Sequence, residues 1–279
     1  MGLRIQNNVE AFNAHRNLTS TADKAAQSME KLSSGYRINR AADDAAGLAI
    51  SEKMRAQIGG LAQAQRNAQD GISLVQTAEG SLNEVHSMLD RMRDLKVQYL
   101  NGTLDADDKS AIVSEASQLA QEIGNIQGTT KFNGISLLDG ATPSISFQVG
   151  ANSGETIDVT TSDLLGAGGV GTDIAALSGS AASTAAWDNV SLDEIDTAIK
   201  NVSSMRSTFG AVQNRMDHRL TNLATYQENL TASESRIRDV DMAEEMTTFT
   251  KLNILQQAGT SMLAQANQAP QNVLTLLRG

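Results

Sequence analysis

A heptad pattern begins at Ile195-Asp-Thr-Ala-Ile-Lys-Asn-Val202 and continues without exception through Phe209, Met216, Leu223, Leu230 and Ile237. A second, partly apolar row follows three residues after each member. Two such rows form a narrow seam along one side of a long helix, and a seam of this width suits another helix. Seven heptads at about 1.5 Å per residue predict a rod of roughly 70 Å. The chain is therefore expected to build something elongated.

The expected partner of this seam lies in the first half of the chain. Apolar residues recur there at steps of three and four, which predicts one helix from about residue 44 to 100 despite Gly59, Gly60, Gly71 and Gly80. Its second half is a clean heptad pattern. A shorter helix, residues 105–128, is predicted to lie antiparallel beside it. We expect an intrasubunit coiled-coil seam that joins the C-terminal row Ile195, Val202, Phe209, Met216, Leu223, Leu230 and Ile237 to Val75, Leu82, Leu89 and Met92.

The middle of the chain differs from both ends. Two alternating segments around a glycine-containing turn predict a β-hairpin at about residues 144–160. Residues 161–189 are rich in Gly, Ala and Ser without a sustained period, so short ordered elements and a mobile loop both fit. Trp187, the single tryptophan, is expected to pack where the chain returns to the rod. The predicted fold class is mainly α, a long antiparallel coiled-coil bundle formed by the N- and C-terminal parts, with this small β-hairpin and a short irregular middle.

Composition excludes several classes of protein. The 279 residues contain no cysteine and only 3% aromatics, which argues against disulfides, thiolate sites and a thick core around a cofactor. The net charge of −10 argues against nucleic acid as the main partner, and no basic residue lies between Lys131 and Lys200. The first residues lack the apolar region of a secretory signal, and no apolar run is long enough to span a membrane.

The C-terminal stretch is chemically unusual. No residue is charged from Leu252 to Leu277, yet amide side chains are frequent in it. Lipid would not tolerate so many amides, and a free surface helix normally carries charge. Because buried amides can pair with one another and with backbone groups, the stretch is expected to be surrounded by other protein. A monomer offers too few neighbours for this, so self-assembly is our hypothesis.

No catalytic constellation emerges from the motifs. The match of Gly166–Gly171 to G-x-G-x-x-G lacks the βαβ context of a dinucleotide site, and a flexible loop is the favoured interpretation. The three histidines are scattered, and Asp43-Asp44 suits helix capping better than acid–base chemistry. The basic patch Arg91-Met-Arg-Asp-Leu-Lys96 is interpreted as the solvated flank of a coiled coil, with a partner site as the alternative. We predict no catalytic, metal or cofactor-binding residues, hence no enzyme and no cofactor.

Several long motifs resemble the bacterial flagellin family. At the N-terminal end these are Leu32-Ser-Ser-Gly-Tyr-Arg-Ile-Asn39, Asp43-Asp-Ala-Ala-Gly47 and Asn67-Ala-Gln-Asp-Gly-Ile-Ser73; at the C-terminal end they are Gly210-Ala-Val-Gln-Asn-Arg215, Ile254-Leu-Gln-Gln-Ala-Gly-Thr260 and Pro270-Gln-Asn-Val-Leu274. The resemblance covers about residues 1–140 and 190–279. It implies a subunit that self-assembles into the hollow helical filament of the bacterial flagellum and serves motility.

The resemblance also implies a layered organisation. Residues 1–43 and 241–279 would be paired terminal helices in the inner filament core. Residues 44–160 and 190–240 would form the outer helical bundle with its β-hairpin, and residues 161–189 a short acidic variable loop or minimal projection. The polymerisation core is then expected to include these large apolar residues: Val9, Phe12, Met29, Leu32, Phe249, Leu255, Met262, Leu263, Val273, Leu276 and Leu277.

Partners and location follow from the same resemblance. Members of the family leave the cell unfolded through the flagellar export channel, so the chain is expected in the extracellular filament, with itself as homopolymer partner and with export chaperone, cap and junction proteins. The family's contact pattern for an animal Toll-like receptor aligns with Arg91, Leu95 and Glu115. Two alternatives remain open here: a hook–filament junction protein of the flagellum, which shares the end helices, and a filament protein carrying an enzyme in its middle.

Overall fold

The computed structural model describes residues 8–142, 144–161, 163–166, 169–171 and 184–278. Helices dominate these residues: α1 Val9–Ser34, α2 Ala45–Tyr99, α3 Ala106–Thr129, α4 Thr184–Asn189, α5 Leu192–Arg238 and α6 Met242–Arg278. Two antiparallel strand pairs complete the described part, β1 Lys131–Phe132 with β2 Ile135–Ser136 and β3 Ser144–Gln148 with β4 Thr156–Thr160. The mainly α fold class with a hairpin at residues 144–160 is confirmed. The part of the chain described here includes no helix apolar enough over a sufficient length to cross a membrane.

One strand pair was not predicted. Phe132 pairs with Ile135 in a short hairpin. Asn133 and Gly134 both adopt positive φ, 48° and 82°, which is the conformation that a two-residue hairpin loop requires. The flanking strands are two residues each, too short for an alternation of apolar and polar residues to reveal them in the sequence.

The chain divides into two compact units. Unit 1 comprises Met1–Ala56 and Asn229–Gly279, and unit 2 comprises Gln57–Glu228. The long helices α2 and α5 each contribute residues to both units. The division that the family resemblance implies falls instead at the breaks between helices, near residues 43 and 240. That division describes the layers of a filament, and it stays a prediction.

Unit 2 contains one hydrophobic core formed by α2, α3, α4, α5 and the strands. Eight of the residues expected in the seam belong to it and are at most 3% exposed: Val75, Leu82, Leu89, Met92, Ile195, Val202, Phe209 and Met216. Leu223 is also buried, whereas Leu230 and Ile237 are half-buried and lie in unit 1. Polar contacts join α2 to α5 along the same length, including a 2.9 Å hydrogen bond from Gln65 Nε2 to Gln227 Oε1.

Glycines in α2 give the β3–β4 hairpin room to approach. A Cβ on Gly71 would lie 2.7 Å from the Met216 Cε and 3.3 Å from the Phe147 ring, and one on Gly60 would lie 3.1 Å from the Ala151 Cβ. Two hydrogen bonds of 2.9 Å then fix the hairpin, from Asn67 Nδ2 to the Gln148 carbonyl and from Arg219 Nε to the Val149 carbonyl. A side chain at either position would force its neighbours to move. Glycine therefore permits this close packing, although it is unfavourable in the middle of a helix.

The basic patch on α2 requires a correction at Lys96. Its side chain is not solvated: the residue is 3% exposed, and Nζ donates a 2.7 Å hydrogen bond to the carbonyl of buried Trp187 in α4. The ammonium also lies 5.2 Å from the ring centroids of Tyr99 and Trp187. Burial lowers the pKa of Lys96, while the negative charge of Asp188 acts in the opposite direction. The patch is thus two surface arginines and one buried cation that secures α4.

Candidate protein–protein surface

Helices α1 and α6 of unit 1 have well-defined ends. The Asn8 side chain accepts a 3.0 Å hydrogen bond from the Ala11 amide at the start of α1. Gly35 ends α1 in the left-handed region, at φ 75°, and its amide donates to the Lys31 carbonyl. Asp241 caps α6 because its carboxylate accepts hydrogen bonds from the amides of Ala243 and Glu244. The negative charges of two glutamates in the first turn interact favourably with the positive end of the helix dipole.

The two helices pair antiparallel at close range. Near the free ends, Asn8 Nδ2 donates a 2.7 Å hydrogen bond to the Ala266 carbonyl. Midway, a Cβ on Gly259 would lie 3.1 Å from the Leu18 side chain, so the glycine allows this approach. Nearer the other end, the buried Ser28 hydroxyl donates to the Glu245 carboxylate. The pairing thus uses small and polar contacts.

Little apolar surface is buried by this pairing. Among the described residues of unit 1, the buried hydrophobic side chains are Ala25 and Ile38. Five residues expected in the polymerisation core are exposed in the single chain. Phe12 is 70% exposed and Met262 is 65% exposed, and the other three are Val9, Met29 and Leu255. Leu32, Phe249 and Leu263 are half-buried, and Val273, Leu276 and Leu277 lie outside the described side chains.

The exposed apolar set is larger than the sequence suggested. It also includes Ile50, Met242, Met246 and Ile254 of unit 1. Ile254 could have been found, since it lies in the uncharged stretch. The others lie within two residues of a charged residue, as ordinary surface positions do. Exposed apolar area on this scale marks a surface that another protein covers.

A groove of about 690 Å³ runs between the two helices. Its lining includes Leu18 and Thr21 from α1 and Leu255, Gly259 and Met262 from α6. The α6 side of the groove carries amides but no charge, because residues 252–277 lack charged side chains. The α1 side contributes one charged residue, Glu10, beside apolar and amide side chains. A lining that is mostly apolar and amide fits a protein helix, because a surface helix in contact with water normally carries more charge.

Metal-ligating side chains are not clustered in the part of the chain that the structure describes. Within the described residues, no group of three or more His, Asp or Glu side chains could hold a metal ion. The described residues of the glycine motif are Gly166 and residues 169–171. The Gly169 amide donates a 2.9 Å hydrogen bond to the Gly166 carbonyl, and the Val170 amide donates to the Leu164 carbonyl. The strand–turn–helix geometry of a dinucleotide site is therefore absent from the described part of the motif.

The three residues aligned with a receptor contact lie in unit 2 and differ in exposure. Arg91 and Glu115 form a surface ion pair of 2.7 Å between α2 and α3. Leu95 is 1% exposed and belongs to the hydrophobic core, so its side chain is not accessible to a partner in this conformation. The contact of these three residues with a receptor stays a prediction.

Comparison with known proteins gives consistent matches. A family model described as the bacterial flagellin N-terminal helical region matches residues 5–142, and one described as the bacterial flagellin C-terminal helical region matches residues 192–277. A flagellin of Halalkalibacterium halodurans is 53% identical over 98% of this chain and 99% of its own length. A flagellin of Bacillus subtilis is 51% identical over 99% of this chain and 100% of its own length. A solved structure titled putative flagellar hook-associated protein, from Vibrio parahaemolyticus, covers 71% of this chain and 100% of its own at 19% identity and a TM-score of 0.59, which is a likeness of fold alone.

Proposed function

The chain belongs to the bacterial flagellin family, and we propose from its own surface how it serves the flagellar filament. It is a structural subunit of that extracellular filament, in a family of structural proteins. Each subunit buries the exposed apolar surface of α1 and α6 against the same helices of neighbouring copies. The groove between the helices, with Leu255 and Met262 on its wall, receives part of a neighbour.

One observation carries this proposal. Unit 1 exposes nine large apolar side chains, whereas its own buried hydrophobic residues among those described are Ala25 and Ile38: the nine are Val9, Phe12, Met29, Ile50, Met242, Met246, Ile254, Leu255 and Met262. Burying one such side chain contributes about 1.5–3 kcal/mol, so assembly has a driving force that the single chain lacks. Unit 2 has its own core and does not need neighbours to bury it.

The export route is a further part of the proposal. A subunit whose terminal helices bury so little can reach the growing end unfolded and order there, because few internal contacts resist unfolding. In the cell, a chaperone would cover the apolar residues of α6 before export, and junction and cap proteins would bind the same helices at the filament ends. For the Toll-like receptor, the surface ion pair of Arg91 and Glu115 is the accessible part of the proposed contact.

Seeded growth tests the central proposal. Purified full-length chain is mixed with short fragments of the source cell's sheared filaments, and elongation is followed by sedimentation and electron microscopy. We expect elongation to give a constant residual concentration of free subunit. A chain that stays monomeric at all concentrations on intact seeds would refute the assignment of this surface to self-assembly.

A further inference from the structure

The break between α1 and α2 lies beside the break between α5 and α6. Tyr36 pairs with Asp239 in an isolated antiparallel bridge. The Arg37 amide donates a 2.7 Å hydrogen bond to the Arg238 carbonyl, and the Val240 amide donates a 3.0 Å hydrogen bond to the Gly35 carbonyl. We name residues 35–38 and 237–240 together the joint clasp. The left-handed conformation of Gly35 turns the chain out of α1 into the bridge.

Charged side chains reinforce the joint clasp around one aromatic ring. The Tyr36 ring centroid lies 4.8 Å from the Arg238 guanidinium and 5.5 Å from that of Arg55. Arg238 forms a 2.6 Å ion pair with Glu52, and Arg55 a 3.3 Å ion pair with Glu234. The ring therefore contacts two cations, each of which is paired with a carboxylate, and these contacts favour one position of the ring.

The loop behind the joint clasp is anchored to the start of α2. Ile38 is 1% exposed, and a Cβ on Gly47 would lie 2.8 Å from its Cδ1. The Asp43 carboxylate accepts hydrogen bonds from the amides of Asn39 and Arg40, and these bonds lower the pKa of Asp43. The loop has a defined conformation, so the bridge is presented at a fixed place.

The contacts between α1 and α6 all share the register of this bridge. Counted from Tyr36 and Asp239, Ser28 and Glu245 are 8 and 6 residues away. Leu18 and Gly259 are 18 and 20 residues away. Asn8 and Ala266 are 28 and 27 residues away. In each of these three contacts, the residue of α1 and the residue of α6 thus lie equally far from the bridge to within two residues.

The paired helices themselves define this register weakly. Helices slide past one another by one turn when no buried, shape-specific side chain opposes the shift. Here Ala25 and Ser28 are the buried side chains described in α1, and none of the described side chains of α6 is buried. The joint clasp, by contrast, combines directional hydrogen bonds with a buried loop residue, so it can specify one register.

We propose that the joint clasp sets the register of α1 against α6 and that a subunit adds to a filament only when the clasp is closed. The second half of this inference rests on the proposed function, because it assumes that the paired helices form the polymer contacts. A shifted register would displace the apolar residues of one helix relative to the other and spoil the surface that a neighbour meets.

A reversible covalent closure tests the proposal. Tyr36 and Asp239 occupy a non-hydrogen-bonded antiparallel pair, for which the Cα separation is about 4.5 Å, within the range that a disulfide accepts. The chain has no cysteine, so the double variant Tyr36→Cys/Asp239→Cys forms one defined disulfide when oxidised glutathione accepts the two electrons and two protons. The wild-type chain treated with the same glutathione is the matched control.

The first readout is amide hydrogen exchange of α1 and α6 in the free chain. Loss of the contacts between the Tyr36 ring and two guanidiniums is expected to make exchange about 5- to 30-fold faster in the reduced variant, and the disulfide is expected to restore wild-type protection. Equal exchange in the two redox states would overturn the role of the joint clasp in the pairing of the helices, whether or not filaments form.

The second readout is seeded filament growth. The reduced variant is expected to grow more slowly than wild type, and oxidation is expected to restore growth without restoring the tyrosine. Reduced chain that grows as well as wild type, or oxidised chain that grows no better than reduced chain, overturns the requirement for closure. Failure of the wild-type chain itself to grow refutes the proposed function, and the exchange measurement still decides whether the clasp sets the register.

Discussion

Met262→Lys is the substitution that most directly probes the self-assembly surface. Met262 lies in the uncharged part of α6, is 65% exposed in the single chain and lines the groove between α1 and α6. If a neighbouring copy covers this position, the substitution removes apolar burial and places an ammonium where no charged residue lies nearby on the helix.

The cost can be worked from that geometry. Completing the burial of a methionine side chain that is two-thirds exposed contributes about 1–2 kcal/mol. Burying a charge without a partner adds several kcal/mol more. A total of about 4–6 kcal/mol per added subunit corresponds to a critical concentration roughly 10³- to 10⁴-fold higher. Met262→Leu nearly conserves volume and polarity, so it is expected to change the critical concentration by about tenfold at most.

The assay is the residual free-subunit concentration after seeded growth of wild type, Met262→Lys and Met262→Leu. Thermal unfolding of unit 2 in the three chains is the control for folding, and we expect no change in it because Met262 belongs to unit 1. Filaments of Met262→Lys with the wild-type critical concentration would show that solvent, not protein, surrounds this position, and the burial argument for α6 would fall.

Three further predictions address other parts of the chain. Burial lowers the pKa of Lys96, so between that pKa and the usual lysine value near 10.4 the unfolded chain binds more protons than the folded chain. The free energy of unfolding should therefore rise with pH in this window. Lys96→Met should flatten that rise when it is measured by urea unfolding, and a slope equal to that of the wild type would contradict the prediction. Gly80→Ala, whose added methyl meets no other atom, should stabilise the monomer by about 1 kcal/mol, whereas Gly71→Ala should destabilise it because Met216 and the hairpin must shift; equal effects would contradict the packing role of Gly71. Circular dichroism should show helix gained on polymerisation, because α1 and α6 bury little in the free chain and are more completely formed once a neighbour covers them, and a constant signal would exclude that gain.

Much of the fold could be predicted because its determinants are local and periodic. Apolar residues recur every seven positions along α5 without exception. In α2 the spacing of apolar residues continues through the glycines, which predicts one helix. Asp105 caps α3 at the residue where the sequence placed its start. The uncharged stretch of α6, residues 252–277, indicates from the sequence alone a surface that needs protein neighbours.

What the sequence did not reveal depends on contacts between distant residues. The acceptor for Lys96 is a backbone carbonyl 91 residues away, and no periodicity signals a carbonyl. Tyr36 and Asp239 are likewise brought together only by the pairing of two helix breaks. Gly71 resembles a helix defect until the Phe147 ring and Met216 are placed against it. Leu95 belongs to the core of unit 2, and its position in the sequence does not by itself say that the core covers this side of α2.

The position of Trp187 gives the chain a built-in optical reporter. It is the single tryptophan, is fully buried, and has an ammonium 5.2 Å from its ring centroid. Its fluorescence emission is therefore that of an indole shielded from water, and a red shift would signal that α4 has left the core of unit 2. No dye or label is needed, so the integrity of unit 2 can be followed in real time during export, assembly or mechanical shear, separately from events at the terminal helices.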